Sequence, residues 1–331
     1  MHKARILYAP YKQAFTFSRQ SSTDVAMTDS NPSLASLVKL LLLGLIWGAS
    51  FMFVSVALRD IGPLTVAAGR IGLGALLLFA IVQVRGIGLP KWHSENGKLV
   101  WASALAMGFF TSALPFALLS WGQKYVASGF AGVCMAVVPL FVLPLAHFLV
   151  PGERLTLRRG ISFLIGFTGV VVLIGLDAFR SVGSDFEALA RIACLGASLC
   201  YAIGAIVTRL CPTTNMLSLS TAALVSATVM ILPFALAIEG VPQMPSPLSM
   251  AAILYLGLFP TALAQVLLVQ VIRDAGPSFM SLVNYQVPIW SVLFGVILLN
   301  EVLPPQLFIS LGLILGGLLL SRKRRQAVGA T

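Results

Sequence analysis

The sequence predicts an all-α integral membrane protein: ten transmembrane helices arranged as two inverted five-helix repeats. Three observations carry this expectation. The chain is 58% hydrophobic and only 10% charged, whereas a soluble globule carries about 25% charged residues. Apolar runs close to the about 20 residues that a spanning helix requires recur along its whole length. Two stretches, "AVVPLFVLPLAHFLVPGERL" from Ala136 and "NYQVPIWSVLFGVILLNEVL" from Asn284, carry the same phrase of proline, apolar run and glutamate.

Taken in order, residues 1–36 form a polar, mixed segment without the apolar core of a signal peptide. They read as a disordered cytoplasmic tail, with Met27 as an alternative start. Spans are expected at 37–58, 63–83, 99–121, 126–149 and 159–178, which makes 37–178 the first repeat. The second repeat, 189–321, holds 189–208, 217–238, 249–271, 277–299 and 306–321, and residues 322–331 close the chain as a basic cytoplasmic tail. The runs are apolar all round, which fits helices rather than the alternating strands of a β-barrel.

A formal charge of +11 raises the question of nucleic acid, and the placement of the positive residues answers it. With both termini cytoplasmic, seventeen Lys and Arg fall inside and four outside (Arg59, Lys124, Arg180, Arg191), with Arg70 alone within a helix. That asymmetry marks a multi-span membrane protein, so the expected partners are the bilayer and a small molecule, not nucleic acid. The basic "SRKRR" at 321–325 anchors the last helix at anionic lipids. Cys134, Cys194, Cys200 and Cys211 are scattered in apolar surroundings, and three lone histidines form no cluster. Neither a metal site, a disulfide framework nor a cofactor is expected.

Pro139 aligns with Pro288 and Glu153 with Glu301, while "PFAL" at 115–118 parallels "PTAL" at 260–263 and thereby pairs Pro115 with Pro260. Because each repeat holds an odd number of helices, the second enters the membrane from the opposite side. Inverted repeats characterise secondary transporters, whose substrate site lies near the midplane where helices are interrupted. Each interior proline frees a carbonyl, tolerable in a bilayer only beside a neighbour or a wet cavity. At about 1.5 Å per residue, Trp47, Ser50, Thr111, Ser112, Tyr201, Asn284, Tyr285 and Gln286 come to similar mid-membrane depth. They are the candidate cavity residues; the alternative for each is polar contact between helices.

Arg70 is costly within a span, so it faces protein or water and has a partner. It reads either as an anchor for a carboxylate or phosphate, or as a structural latch. No Asp or Glu lies deep in a helix, which leaves the coupling ion open. Glu153 and Glu301 are expected to be structural, each capping the helix that follows it. "GLIWG" at 44–48 and "GLILG" at 312–316 are GxxxG motifs, the latter leaving a homodimer open. Paired carboxylates, a Ser/His dyad and metal ligands are missing from the spans, so no enzyme is expected.

"LIWGASF" at 45–51, "PLTVAAGR" at 63–70 and the repeated proline-to-glutamate phrase resemble the EamA family of the drug/metabolite transporter superfamily over about residues 37–321. The resemblance places Trp47, Arg70, Pro139, Glu153, Pro288 and Glu301 on the family's recurring positions. It implies export of amino-acid-like metabolites or toxic compounds across the bacterial inner membrane by alternating access. An uptake carrier for a phosphorylated or sugar-linked metabolite, and a non-transporting sensor or assembly factor, are the alternatives. Two departures stand out: helix seven has no arginine, with Leu224 or a neighbour standing where Arg70 would, and Tyr201 replaces the more usual tryptophan.

The topology has a direct check. A cysteine introduced into the 85–98 loop, labelled in intact cells with an impermeant thiol reagent, stays unreacted until the membrane is opened; labelling from outside reverses the assignment.

Overall fold

The computed structural model describes residues 33–150, 157–174, 186–275 and 277–321, and every regular element among them is helical. The first half comprises α1 (Leu34–Ala57), α2 (Pro63–Val84), α3 (Gly97–Gly122), α4 (Ser128–Leu149) and α5 (Leu157–Ile174). The second comprises α6 (Glu187–Leu210), α7 (Met216–Glu239), α8 (Pro247–Leu256 through Gly257–Leu263 to Ala264–Ala275), α9 (Val283–Leu299) and α10 (Pro305–Ser321). Among the described residues seven helices are long and apolar enough to cross a membrane; Gly160–Leu173, Val283–Leu299 and Pro305–Leu320 are shorter apolar helices. Glu153 and both tails, 1–32 and 322–331, lie outside the described residues.

Local chemistry explains the starts and stops. Pro63, Pro247 and Pro305 open α2, α8 and α10, where a missing N–H costs nothing. Asn215 Oδ1 accepts from Leu217 N and Ser218 N at the start of α7. Asn300, at φ 53°, ends α9 in the left-handed conformation. Inside the bundle, hydroxyls of Ser103, Thr111, Thr208, Thr221, Ser226 and Thr228 donate to the carbonyl four residues earlier. Their polarity is thereby matched without water.

Exchanging α1–α5 with α6–α10 reproduces the packing. The α1·α9 contact answers α6·α4, α3·α6 answers α8·α1, and α2·α8 answers α7·α3, while α2·α7, α4·α9 and α5·α10 map onto themselves. These self-mated pairs run antiparallel, because each joins the start of one helix to the end of its mate. Glu239, ending α7, accepts from Leu64 N and Thr65 N at 2.9 Å each. Glu301, after α9, accepts from Ser128 N at 2.7 Å and Gly129 N at 3.0 Å. Gln306 Nε2, in α10, donates to Val172 O of α5 at 2.6 Å. The opposite end of the bundle is tied by the Lys39–Asp274 ion pair at 2.7 Å and by Ser218 Oγ donating to Gly88 O.

Glu301 therefore caps a helix N-terminus, as its charge favours, but the capped helix is α4 of the other repeat and not the helix that follows it. The antiparallel α4·α9 pair brings that N-terminus nearer than the start of α10. The proline pairing also needs correction. Wide π-helical turns occupy Gly108–Ala113 in α3 and Gly257–Leu263 in α8, and the register that superposes them also matches Pro139 with Pro288. In that register Pro260 falls opposite Thr111, so the "PFAL"/"PTAL" match is one helical turn out, and Pro115 instead opens the α-helical segment after the π turn. Pro144 and Pro233 also lie inside helices. Helix nine is shorter than expected: a separate turn at Pro277–Met280 precedes α9.

The two GxxxG motifs differ in use. A Cβ on Gly48 would fall onto Trp290 of α9, and one on Gly44 would meet Gln286 Oε1 at 2.6 Å, whereas Gly312 and Gly316 meet nothing within 4 Å among the described residues. In α10 the close approach is made by Gly317, where a Cβ would fall 2.7 Å from Ser162 O. Overpacking a seam costs about 1–3 kcal/mol. Gly48→Val is expected to lower the thermal midpoint in detergent, and Gly316→Val to leave it unchanged. An equal drop in both would place the last helix against a partner.

Candidate functional site

Between the two halves lies a cavity of about 310 Å³, lined by α1 to α4 and α6 to α9. Its walls begin with a problem that proline creates. Pro260 has no N–H to give, and it sits within the wide π-helical turn Gly257–Leu263, where bonds reach the carbonyl five residues back instead of four. The Thr261 hydroxyl donates to Leu256 O, five residues back, at 2.7 Å. The Pro260 carbonyl itself points out of the wide turn and accepts from Trp47 Nε1 of α1 at 3.1 Å. Ser50 Oγ donates to Trp47 O at 2.6 Å, which ties the next turn of α1 to the same network. In α4 the corresponding cost at Pro139 is met by a tight turn, in which Val138 N donates to Met135 O.

Arg70 projects from α2 onto this scaffold and is 6% exposed. Its guanidinium lies 3.7 Å from the Phe116 ring centroid, and Nε donates to Thr261 Oγ1 at 3.4 Å. A cation over an aromatic face is attracted by the ring quadrupole. Neither contact neutralises the charge, and among the described residues no carboxylate pairs with Arg70. The lining contains no Asp, Glu, Lys or His, so Arg70 is the sole formal charge among the described lining residues.

The lining also follows the repeat. Residues matched between the halves both reach the cavity: Trp47 and Tyr201, Arg70 and Leu224, Thr111 and Pro260, Ser112 and Thr261, Phe116 and Gln265, Leu119 and Leu268, Met135 and Asn284, Val138 and Val287. Positions are symmetric while chemistry is not. The first half supplies the cation and the ring beneath it, where the second supplies a leucine and an amide.

Of the nine candidates named from sequence, Trp47, Ser50, Arg70, Thr111, Ser112, Tyr201 and Asn284 line the cavity. Tyr285 and Gln286 do not. Successive residues of a helix point about 100° apart, so the first turn of α9 can aim only Asn284 and Val287 inward. Gln286 packs on Gly44 of α1, and Tyr285 lies against the apolar core. Among the prolines, Pro260 lines the cavity, whereas Pro115, Pro139 and Pro288 stand behind it in the helix walls. Sequence reasoning missed Gln123 and Gln265. Gln265 lies in the 249–271 span just after the "PTAL" phrase, whereas Gln123 falls just beyond the 99–121 span.

The profile of the EamA-like transporter family matches residues 34–175 and 188–322. An Archaeoglobus fulgidus protein described as an uncharacterized transporter is 26% identical over 84% of this chain and 95% of its own. YoaV of Bacillus subtilis, also described as a transporter, is 25% identical over 83% and 90%. YedA of Escherichia coli, described as an inner membrane transporter, is 26% identical over 82% and 85%. A solved crystal structure at 18% identity shares the fold with a TM-score of 0.62, over 87% of this chain and 97% of that one. With one match on each five-helix half, the chain belongs to the EamA-like transporter family.

Proposed function

We propose that the protein is a secondary transporter that moves small metabolites, amino-acid-like or toxic, out across the inner membrane. In this reading all ten helices span, the two repeats are inverted, and both termini are cytoplasmic. The observation that carries it is the cavity built from matched positions of two antiparallel-mated halves, with a buried, uncompensated Arg70 in its wall. A site shared evenly by two halves is exposed to either side when the halves rock against each other. The exposed apolar side chains around the bundle, such as Leu76, Val229, Phe234 and Ile297, suit contact with lipid.

Arg70 acts as the anchor for an anionic group of the substrate. A guanidinium matches the planar fork of a carboxylate or phosphate, and in a site with few other charges the attraction is weakly screened. The same cation favours the uptake of a phosphorylated metabolite as the second reading. The relatives YoaV and YedA are both described as transporters, YedA as one of the inner membrane.

The test uses radiolabelled amino acids, organic acids and phosphorylated metabolites, with export from loaded cells measured beside uptake into proteoliposomes. Losing one partner of a buried charge contact costs about 2–5 kcal/mol. Arg70→Gln is expected to cut transport at least about tenfold, with a monodisperse variant and a near-normal thermal midpoint. Full-rate transport by that variant makes Arg70 a latch and removes the anchor.

A further inference from the structure

Gln123, at the C-terminal end of α3, is 7% exposed and lines the cavity. Its two ends are treated differently. Oε1 accepts from Ser55 Oγ of α1 at 3.1 Å, while Nε2 is buried with no protein partner among the described residues. A buried amide donor without an acceptor is costly, about 1–3 kcal/mol. The Ser55 bond holds the carbonyl end and leaves the amide hydrogens as the donor end.

Resting on the reading of this cavity as the transport site, we infer that Gln123 is a specificity-determining residue and that the substrate is a small organic anion. Its carboxylate meets Arg70, and a neutral acceptor oxygen meets Gln123 Nε2. The lining has one cation and no carboxylate, so an ammonium brought in with the substrate finds no counter-charge. A zwitterion therefore binds less well than an anion of the same shape, and a cation is repelled by Arg70. The aromatic and aliphatic wall, including Phe51, Val54, Leu119 and Leu268, receives an apolar body. Ser55 is a positioning residue that acts through Gln123.

Three probes share a benzyl skeleton and differ only in the head: phenylpyruvate (carboxylate and ketone), phenylalanine (carboxylate and ammonium) and phenethylamine (ammonium alone). Binding of each to the full-length protein in nanodiscs is measured by isothermal titration and thermal shift. Phenylpyruvate is expected to bind at least about tenfold more tightly than phenylalanine, and phenethylamine not at all. Gln123→Leu weakens phenylpyruvate binding about three- to tenfold, the share of one hydrogen bond. Gln123→Glu reverses the order of phenylpyruvate and phenylalanine, because it supplies the missing counter-charge. Ser55→Ala weakens phenylpyruvate as Gln123→Leu does, and Ser55→Thr restores it, which a purely structural role would not produce.

Binding led by phenylalanine or phenethylamine that is lost in Thr111→Trp, a variant that fills the cavity, overturns the inference and leaves the site standing. An unchanged probe order in Gln123→Glu overturns the role of Gln123. Absence of binding by all three, or binding that survives Thr111→Trp, overturns the inference and the proposed site together.

Discussion

A bilayer leaves no water to satisfy a backbone carbonyl that loses its helical donor, and this constraint organises the centre of the molecule. At the interrupted turn of α8 side chains reach two carbonyls: Thr261 donates to Leu256 O and Trp47 to Pro260 O. The second of these bonds crosses from one repeat to the other. Thr261 then receives Arg70 Nε, so the residue that repairs the helix also positions the cation. Interruption, repair and site are one network.

Two repeats with the same packing need not have the same chemistry. Matched positions line the cavity in pairs, yet Arg70 reaches the cavity from a position where its mate is Leu224, and Phe116 stacks where its mate is Gln265. Symmetry of the fold brings matched helices of both halves to one cavity. Asymmetry of the side chains gives the cavity a cation on one side and a leucine at the matched position on the other. The carboxylates sit elsewhere: Glu239 and Glu301 cap helices of the opposite repeat at one end of the bundle, where their charge meets helix N-termini.

Much of this was legible in the sequence, because bilayer physics leaves strong marks. Long apolar runs, the Pro139/Pro288 phrase and a lone intramembrane arginine marked the helices, the repeat and the centre of the cavity. What escaped was set by local rotation and by partners distant in sequence. Depth along a helix placed Asn284, Tyr285 and Gln286 together, but only Asn284 turns toward the cavity. The matched π turns at Gly108–Ala113 and Gly257–Leu263 fix the register between the halves, and no residue type announces such a turn. Glu301 was readable as a cap, but its helix lies 172 residues earlier at Gly129, a pairing fixed only by tertiary packing. Gln123 carries no charge and drew no notice, though Ser55 and the cavity give it its meaning.

Alternating access at this cavity is tested most directly by labelling one lining residue from each side of the membrane. In a background with Cys134, Cys194, Cys200 and Cys211 replaced, Thr111→Cys in oriented vesicles is exposed to an impermeant thiol reagent from either face. A rocking transporter predicts that the same thiol reacts from both sides, and that locking one end of the bundle with a crosslink abolishes reaction from that side alone. Reaction from one side only, unaffected by the crosslink, would contradict a shared site between two moving halves.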